Sequence, residues 1–131
     1  MNASAASSPI AISEIGQIAI NVQDTNRAVG FYRDILGLKL LFTAGRLAFF
    51  DCGGVRLMLS PPERPEFDHP ASILYFRVAD IKAAFARLVE QKVKTESEPH
   101  VIARMPDHDL WLADFRDSEG NIMCLMAEVR R

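Results

Sequence analysis

Ile18-Ala19-Ile20-Asn21-Val22-Gln23-Asp24 and Leu74-Tyr75-Phe76-Arg77-Val78-Ala79-Asp80 are one pattern written twice. Ile18, Ile20 and Val22 match Leu74, Phe76 and Val78, and each run closes on an aspartate. Apolar residues at a period of two mark a strand with one buried face. The closing aspartate is placed to cap a helix, its carboxylate accepting from the free amides of the first turn. A helical pattern follows each time. Ala28, Phe31, Tyr32, Ile35 and Leu36 in the first copy, and Ile81, Ala84, Phe85, Leu88 and Val89 in the second, share the i, i+3, i+4, i+7, i+8 spacing of an amphipathic helix. Gly37 supplies a left-handed stop to the first helix.

Three strand-like runs come after each helix. The first set is Lys39–Thr43, Arg46–Asp51 and Val55–Ser60, with turns at Gly45 and Gly53-Gly54. The second is Glu98–Met105, Leu110–Arg116 and Asn121–Glu128, with turns at 106–109 and 117–120. The spacing therefore predicts an α+β fold of two tandem βαβββ modules, about 13–62 and 71–129. They form a single domain, 13–131, after a mobile tail at 1–12. Residues 61–70, with four prolines, read as the linker. One such unit has too little apolar face to stand alone. The two modules therefore pack on each other, or each pairs with a module of a second chain.

Composition removes several classes of function. The chain has 131 residues, 49% hydrophobic and 24% charged, with a net charge of −2. That balance offers no electrostatic grip on nucleic acid or an anionic membrane. No apolar run approaches the ~20 residues of a membrane span. Two cysteines, Cys52 and Cys124, are too few for a disulfide framework, so a cytoplasmic setting is expected. The basic residues divide into 11 Arg and 4 Lys, and arginine is the side chain suited to bidentate capture of carboxylate or phosphate.

The same alternation assigns faces. If Ile18, Ile20 and Val22 pack on the helix, Gln17, Ala19 and Asn21 point to the other, concave face. Arg56, Met58 and Ser60 join them from the last strand of the first module. Ile73, Tyr75 and Arg77, with Ile122, Cys124 and Met126, occupy the same places in the second. Apolar walls with a few polar anchors are the makeup of a small-molecule pocket.

The run Ile18–Asp24, then Ala28-Val29-Gly30-Phe31-Tyr32 and Leu36-Gly37-Leu38, resembles the opening of the vicinal oxygen chelate superfamily. Its members include glyoxalase I, the bleomycin- and fosfomycin-resistance proteins and the extradiol dioxygenases. Phe115-Arg116-Asp117-Ser118-Glu119-Gly120-Asn121 resembles that family's closing turn, with Ser118 where Pro is usual and Glu119 where Asp is usual. The resemblance implies an open, incomplete barrel around a cavity, commonly in a homodimer. It also implies a divalent metal held on four inward positions, which here fall on Gln17, Met58, Ile73 and Cys124. Gln17 is an acceptable ligand. Ile73 has no donor, Met58 is a soft thioether, and one thiolate with one amide do not make a site. No cofactor is therefore expected, with a divalent metal not excluded.

The hairpin Pro99–Trp111 gathers further candidates. At a period of two His100, Ile102 and Arg104 share a face, provided no bulge intervenes. Arg104 then anchors an anionic ligand, or closes the hairpin by pairing with Asp107 or Asp109. His100 and Tyr75 are the acid/base candidates. Trp111 stacks on a planar ligand or serves as a cross-strand partner. His108 falls in the turn. Cys124 reads as a ligand-facing or core residue rather than a nucleophile.

The expected ligand-binding set is thus Gln17, Asn21, Arg56, Tyr75, Arg77, His100, Arg104, Trp111 and Cys124. The expected function is binding of a small molecule, anionic by the arginine count, without the usual metal and in a homodimer. The alternatives are a metal-dependent or acid/base enzyme of lyase, isomerase or dioxygenase type, and an interaction module.

Overall fold

The structure, a computed structural model, describes residues 9–131, so the first eight residues of the expected tail lie outside the described residues. The first module runs β1 (Gln17–Asn21), α1 (Thr25–Gly30), β2 (Lys39–Ala44), β3 (Leu47–Cys52) and β4 (Val55–Ser60). The second runs β5 (Leu74–Arg77), α2 (Ile81–Glu90), β6 (His100–Arg104), β7 (His108–Arg116) and β8 (Ile122–Arg130). Between them the linker makes one 3-10 turn at Pro65–Phe67. The two sheets have the same order, β1-β4-β3-β2 and β5-β8-β7-β6, and both remain open rather than closing into a barrel. In each, the first and last strands pair in parallel and the others antiparallel. The α+β fold of two βαβββ modules is the one the repeat predicts.

Both caps form as the repeat requires. Asp24 accepts from the Arg27 amide at 3.0 Å and Asp80 from the Ala83 amide at 3.1 Å. The first helix then departs from a regular α-helix. It widens into a π-helical stretch at Phe31–Ile35, with the Leu36 amide donating to the Phe31 carbonyl. Gly37, at φ 76°, turns the chain out of it. Side chains of this stretch serve both modules. The Tyr32 ring lies 6.0 Å from Phe50 of β3, and the Phe31 ring is stacked 6.5 Å from Phe115 of β7.

One hydrophobic core results, in which Ile20, Phe50, Leu57 and Leu59 from the first sheet join Phe115, Met123 and Leu125 from the second. Fully burying a ring such as Phe50 or Phe115 contributes roughly 1.5–3 kcal/mol. Both sheets turn their helix-bearing faces to this core. Their opposite faces look outward.

Two details of the second module differ from the pattern. His108 opens β7 instead of sitting in the turn, because the Met105 amide donates to the His108 carbonyl at 2.8 Å and the hairpin closes earlier. β6 carries a bulge between Val101 and Ala103. A bulge adds one unpaired residue and reverses the facing of everything beyond it.

Candidate functional site

The modules are joined by a polar seam built from the turn after β7. The Asp117 carboxylate, 6% exposed, accepts from the Tyr32 hydroxyl at 2.7 Å and from the Glu119 and Asn121 amides at 2.8 Å each. Burial, then the Asp117 carboxylate, raise the Tyr32 phenol far above its ordinary range, so it stays a donor. Glu119 accepts from the Gln23 and Asp24 amides and, through two N–H groups, from Arg27. Burial pushes its carboxyl up, but hydrogen bonds from Arg27, from the Asp24 and Gln23 amides and from Ser118 outweigh that and hold it down at about 2. The Asn121 amide donates to the Asn21 carbonyl at 2.9 Å.

On the outer face of the first sheet, register sets Gln17 beside Arg56, Ala19 beside Met58, and Met58 beside Phe49. Arg56 Nε donates to Gln17 Oε1 at 2.7 Å, and the Gln17 amide nitrogen lies 3.7 Å from the Met58 sulfur. The Arg56 guanidinium carbon is 5.3 Å from the centre of the Phe49 ring, and Phe42 stacks on Phe49 with centroids 4.4 Å apart. Asn21 is committed to structure. Its amide donates to the Phe67 and His69 carbonyls of the linker at 2.6 and 2.8 Å. It lines an open cleft of about 600 Å³ at the module junction, with His69, Ile73, Arg116, Glu119 and Asn121.

On the outer face of the second sheet, Tyr75 stands beside Cys124, and Arg77, Met126, Leu112 and His100 form one row across the strands. Tyr75 and Arg77 also edge a smaller apolar cleft of about 210 Å³ with Leu36, Leu38, Cys52 and Leu125. β5 and β6 are opposite edges of the sheet, so His100 lies three strand spacings, ~14 Å, from the β5 residues. Tyr75 and His100 are not brought together as an acid/base pair. The His100 Nδ1 is held at 2.7 Å from the Glu98 carbonyl.

Arg104 and Trp111 leave this face. Beyond the bulge, Arg104 pairs in register with Asp109, and β7 puts Asp109, Trp111, Ala113 and Phe115 on the helix-bearing side. Arg104 makes a 2.9 Å ion pair with Asp109, which Arg131 shares. Trp111 packs against the core, with Lys82 of α2 at 5.1 Å from its ring centre. His108 faces Asp107 at 2.7 Å and His69 its own linker at 3.0 Å, so the histidines do not converge.

Seven of the eleven arginines have a carboxylate within 4.0 Å. Among the described residues, Arg56 and Arg77 are among the four that do not, and both stand on outer faces. Phe42 and Phe49 escaped sequence reasoning. Carrying the alternation from Met58 across the β3–β4 hairpin would have placed Phe49; Phe42 follows only through the β2–β3 hairpin, because β2 bulges between Leu40 and Phe42.

The four positions of the implied metal site lack a set of donors free to bind a hard cation. The Gln17 amide oxygen already receives the Arg56 cation. Ile73 has no donor atom. Burial, then Asp114, push the Cys124 thiol up to about 12, so it stays protonated rather than a thiolate. Among the described residues no three His, Cys, Asp or Glu side chains are gathered to hold an ion. This donor set does not fit the family's divalent metal.

No helix among the described residues is long and apolar enough to cross a membrane. A Bacillus subtilis (strain 168) protein, YraH, is 29% identical over 124 residues, covering 82% of this chain and 92% of that protein. A lactoylglutathione lyase from Agrobacterium tumefaciens superposes with a TM-score of 0.70 at 24% identity, over 89% of this chain and 95% of that one; it shows likeness of fold alone. TnmS3, an antibiotic binding protein from Streptomyces sp. CB03234, gives 0.70 at 25% identity over 92% and 99%. The model of the Glyoxalase/Bleomycin resistance protein/Dioxygenase superfamily matches residues 14–125. With the repeat, the paired open sheets and that match in agreement, the chain belongs to this superfamily.

Proposed function

We propose that this protein binds an anionic small molecule on its outer sheet faces without the divalent metal of its superfamily, in the cytoplasm and as a homodimer. The observation that carries the reading is the contrast among arginines. Arg56 and Arg77 stand unpaired on the two outer faces while seven others are matched to carboxylates. A guanidinium without a carboxylate is a ready bidentate receptor. The antibiotic-binding neighbour supports a sequestering role over a catalytic one. The separation of His100 from Tyr75 weighs the same way.

The homodimer is supported by apolar exposure. Ile73 and Tyr75 are 48% and 54% exposed along the β5 edge of the second sheet, and a second copy laid along that edge removes that surface from water while leaving Phe42 and Arg56 open. Two free cysteines accord with a reducing compartment. The test is a thermal-shift screen of small carboxylates, phosphates and sulfonates, run in excess chelator. Anionic compounds raise the Tm under chelation, and Arg56→Gln or Arg77→Gln abolishes the rise. A rise that appears only when a divalent metal is restored overturns the reading.

A further inference from the structure

The geometry points to an aromatic carboxylate as the ligand of the first outer face, its carboxylate on Arg56 and its ring on the Phe42–Phe49 pair. This rests on the anion-binding reading above and narrows it to one chemical class.

Three observations carry it. The guanidinium is fixed at one end and free at the other. Nε is held by Gln17 Oε1 at 2.7 Å, and among the described residues the terminal nitrogens form no ion pair, Asp51 being opposite in register but not paired with them. A guanidinium oriented through Nε presents its outer N–H pair as a fork for two carboxylate oxygens. The aromatic pair is the second. Phe49 is nearly buried between Arg56 and Phe42, whereas Phe42 is 47% exposed. The Phe42 ring thus gives a flat apolar surface one ring away from the cation, suited to offset stacking. The third is the surround. Ala19 and Met58 add an apolar floor beside the pair, and the carboxylate of this face, Asp51, lies across from Arg56 in register but accepts from the Gly54 amide at 3.3 Å and stands next to Lys39. An aliphatic acid would meet the cation but gain little from a flat ring surface, and a neutral arene would meet the ring but leave the fork unfilled.

The experiment is isothermal titration of the purified full chain, in chelator, with four probes. They are 2-naphthoate, cyclohexanecarboxylate, 2-naphthalenemethanol and inorganic phosphate. The expected result is saturable binding of 2-naphthoate, with cyclohexanecarboxylate and the neutral alcohol each weaker by about tenfold or more. Arg56→Gln lowers 2-naphthoate affinity about tenfold or more, Phe42→Ala about fivefold, and Phe42→Tyr leaves it near that of the wild type. Both positions are at the surface, and circular dichroism confirms that the variants fold. Equal binding of naphthoate and cyclohexanecarboxylate overturns the aromatic assignment while leaving the anion reading intact. Binding of naphthoate unaffected by Arg56→Gln and Phe42→Ala also overturns it, by placing the ligand elsewhere. If naphthoate, cyclohexanecarboxylate and phosphate all fail to bind, the aromatic assignment falls and the anion reading falls with it.

Discussion

The seam between the modules and the outer faces of the sheets treat charge in opposite ways. In the seam, Asp117 and Glu119 receive hydrogen bonds from Tyr32, Arg27 and backbone amides of both modules. On the outer faces, among the described residues, Arg56 and Arg77 form no ion pair, although Asp51 stands across from Arg56 in register. Side chains matched inside one chain hold its shape. Side chains left unmatched at the surface are available to something else.

The largest effect expected from breaking the seam is on stability. Asp117→Ala leaves the buried Tyr32 hydroxyl and two amides without their acceptor, and should destabilise the fold by ~3 kcal/mol or more. Urea denaturation measures this, and a loss within ordinary surface variation would mean that the seam does not join the modules. Glu119 adds a pH dependence. Its folded pKa, about 2, lies below the ordinary 4.5. It therefore contributes stability that is fully present above about 4.5 and lost as pH falls toward 2. Glu119→Gln should be less stable than the wild type at neutral pH, and the gap should close through that window in acid denaturation.

The outer faces should show the reverse. Arg77→Gln should leave the urea midpoint close to that of the wild type while weakening binding of anionic ligands about tenfold. A large stability loss would return Arg77 to the structural class. Cys124 sharpens the same contrast, since a buried thiol raised to about 12 should resist iodoacetamide at pH 8 in the folded protein; rapid labelling would indicate a thiolate. The smallest effect belongs to Arg104→Ala. That residue pairs with Asp109 on the other side of the sheet, so ligand affinity should not change and stability should fall by at most ~1 kcal/mol.

The fold was readable because two periodicities, 2 and 3.6, recur in the same order in both halves. The faces of β1, β4, β5 and β8 followed from alternation alone. Alternation is local, however, and the bulge at Ile102 breaks it, which is why Arg104 was expected beside His100; Trp111 lies on β7, whose unbroken alternation with Ala113 and Phe115 already turns it to the core. The seam was less legible. Ser118-Glu119 reads only as a variant closing turn, and its role depends on the first helix lying against the second sheet. That packing depends in turn on Phe31 and Tyr32, whose π-helical stretch a 3.6-residue pattern does not reveal. Phe49 needed only the alternation carried one hairpin further, whereas Phe42 lies past a bulge in β2 that local alternation does not show.

Elemental analysis of protein purified without any chelator tests the central claim most directly. The Gln17 amide is engaged by Arg56, Ile73 and Met58 are unsuited to a hard cation, and Cys124 is held as a thiol. Zinc, nickel, manganese and iron should therefore each be present far below one atom per chain. One equivalent of any of them, lost in a Gln17→Ala or Cys124→Ala variant, would contradict the account.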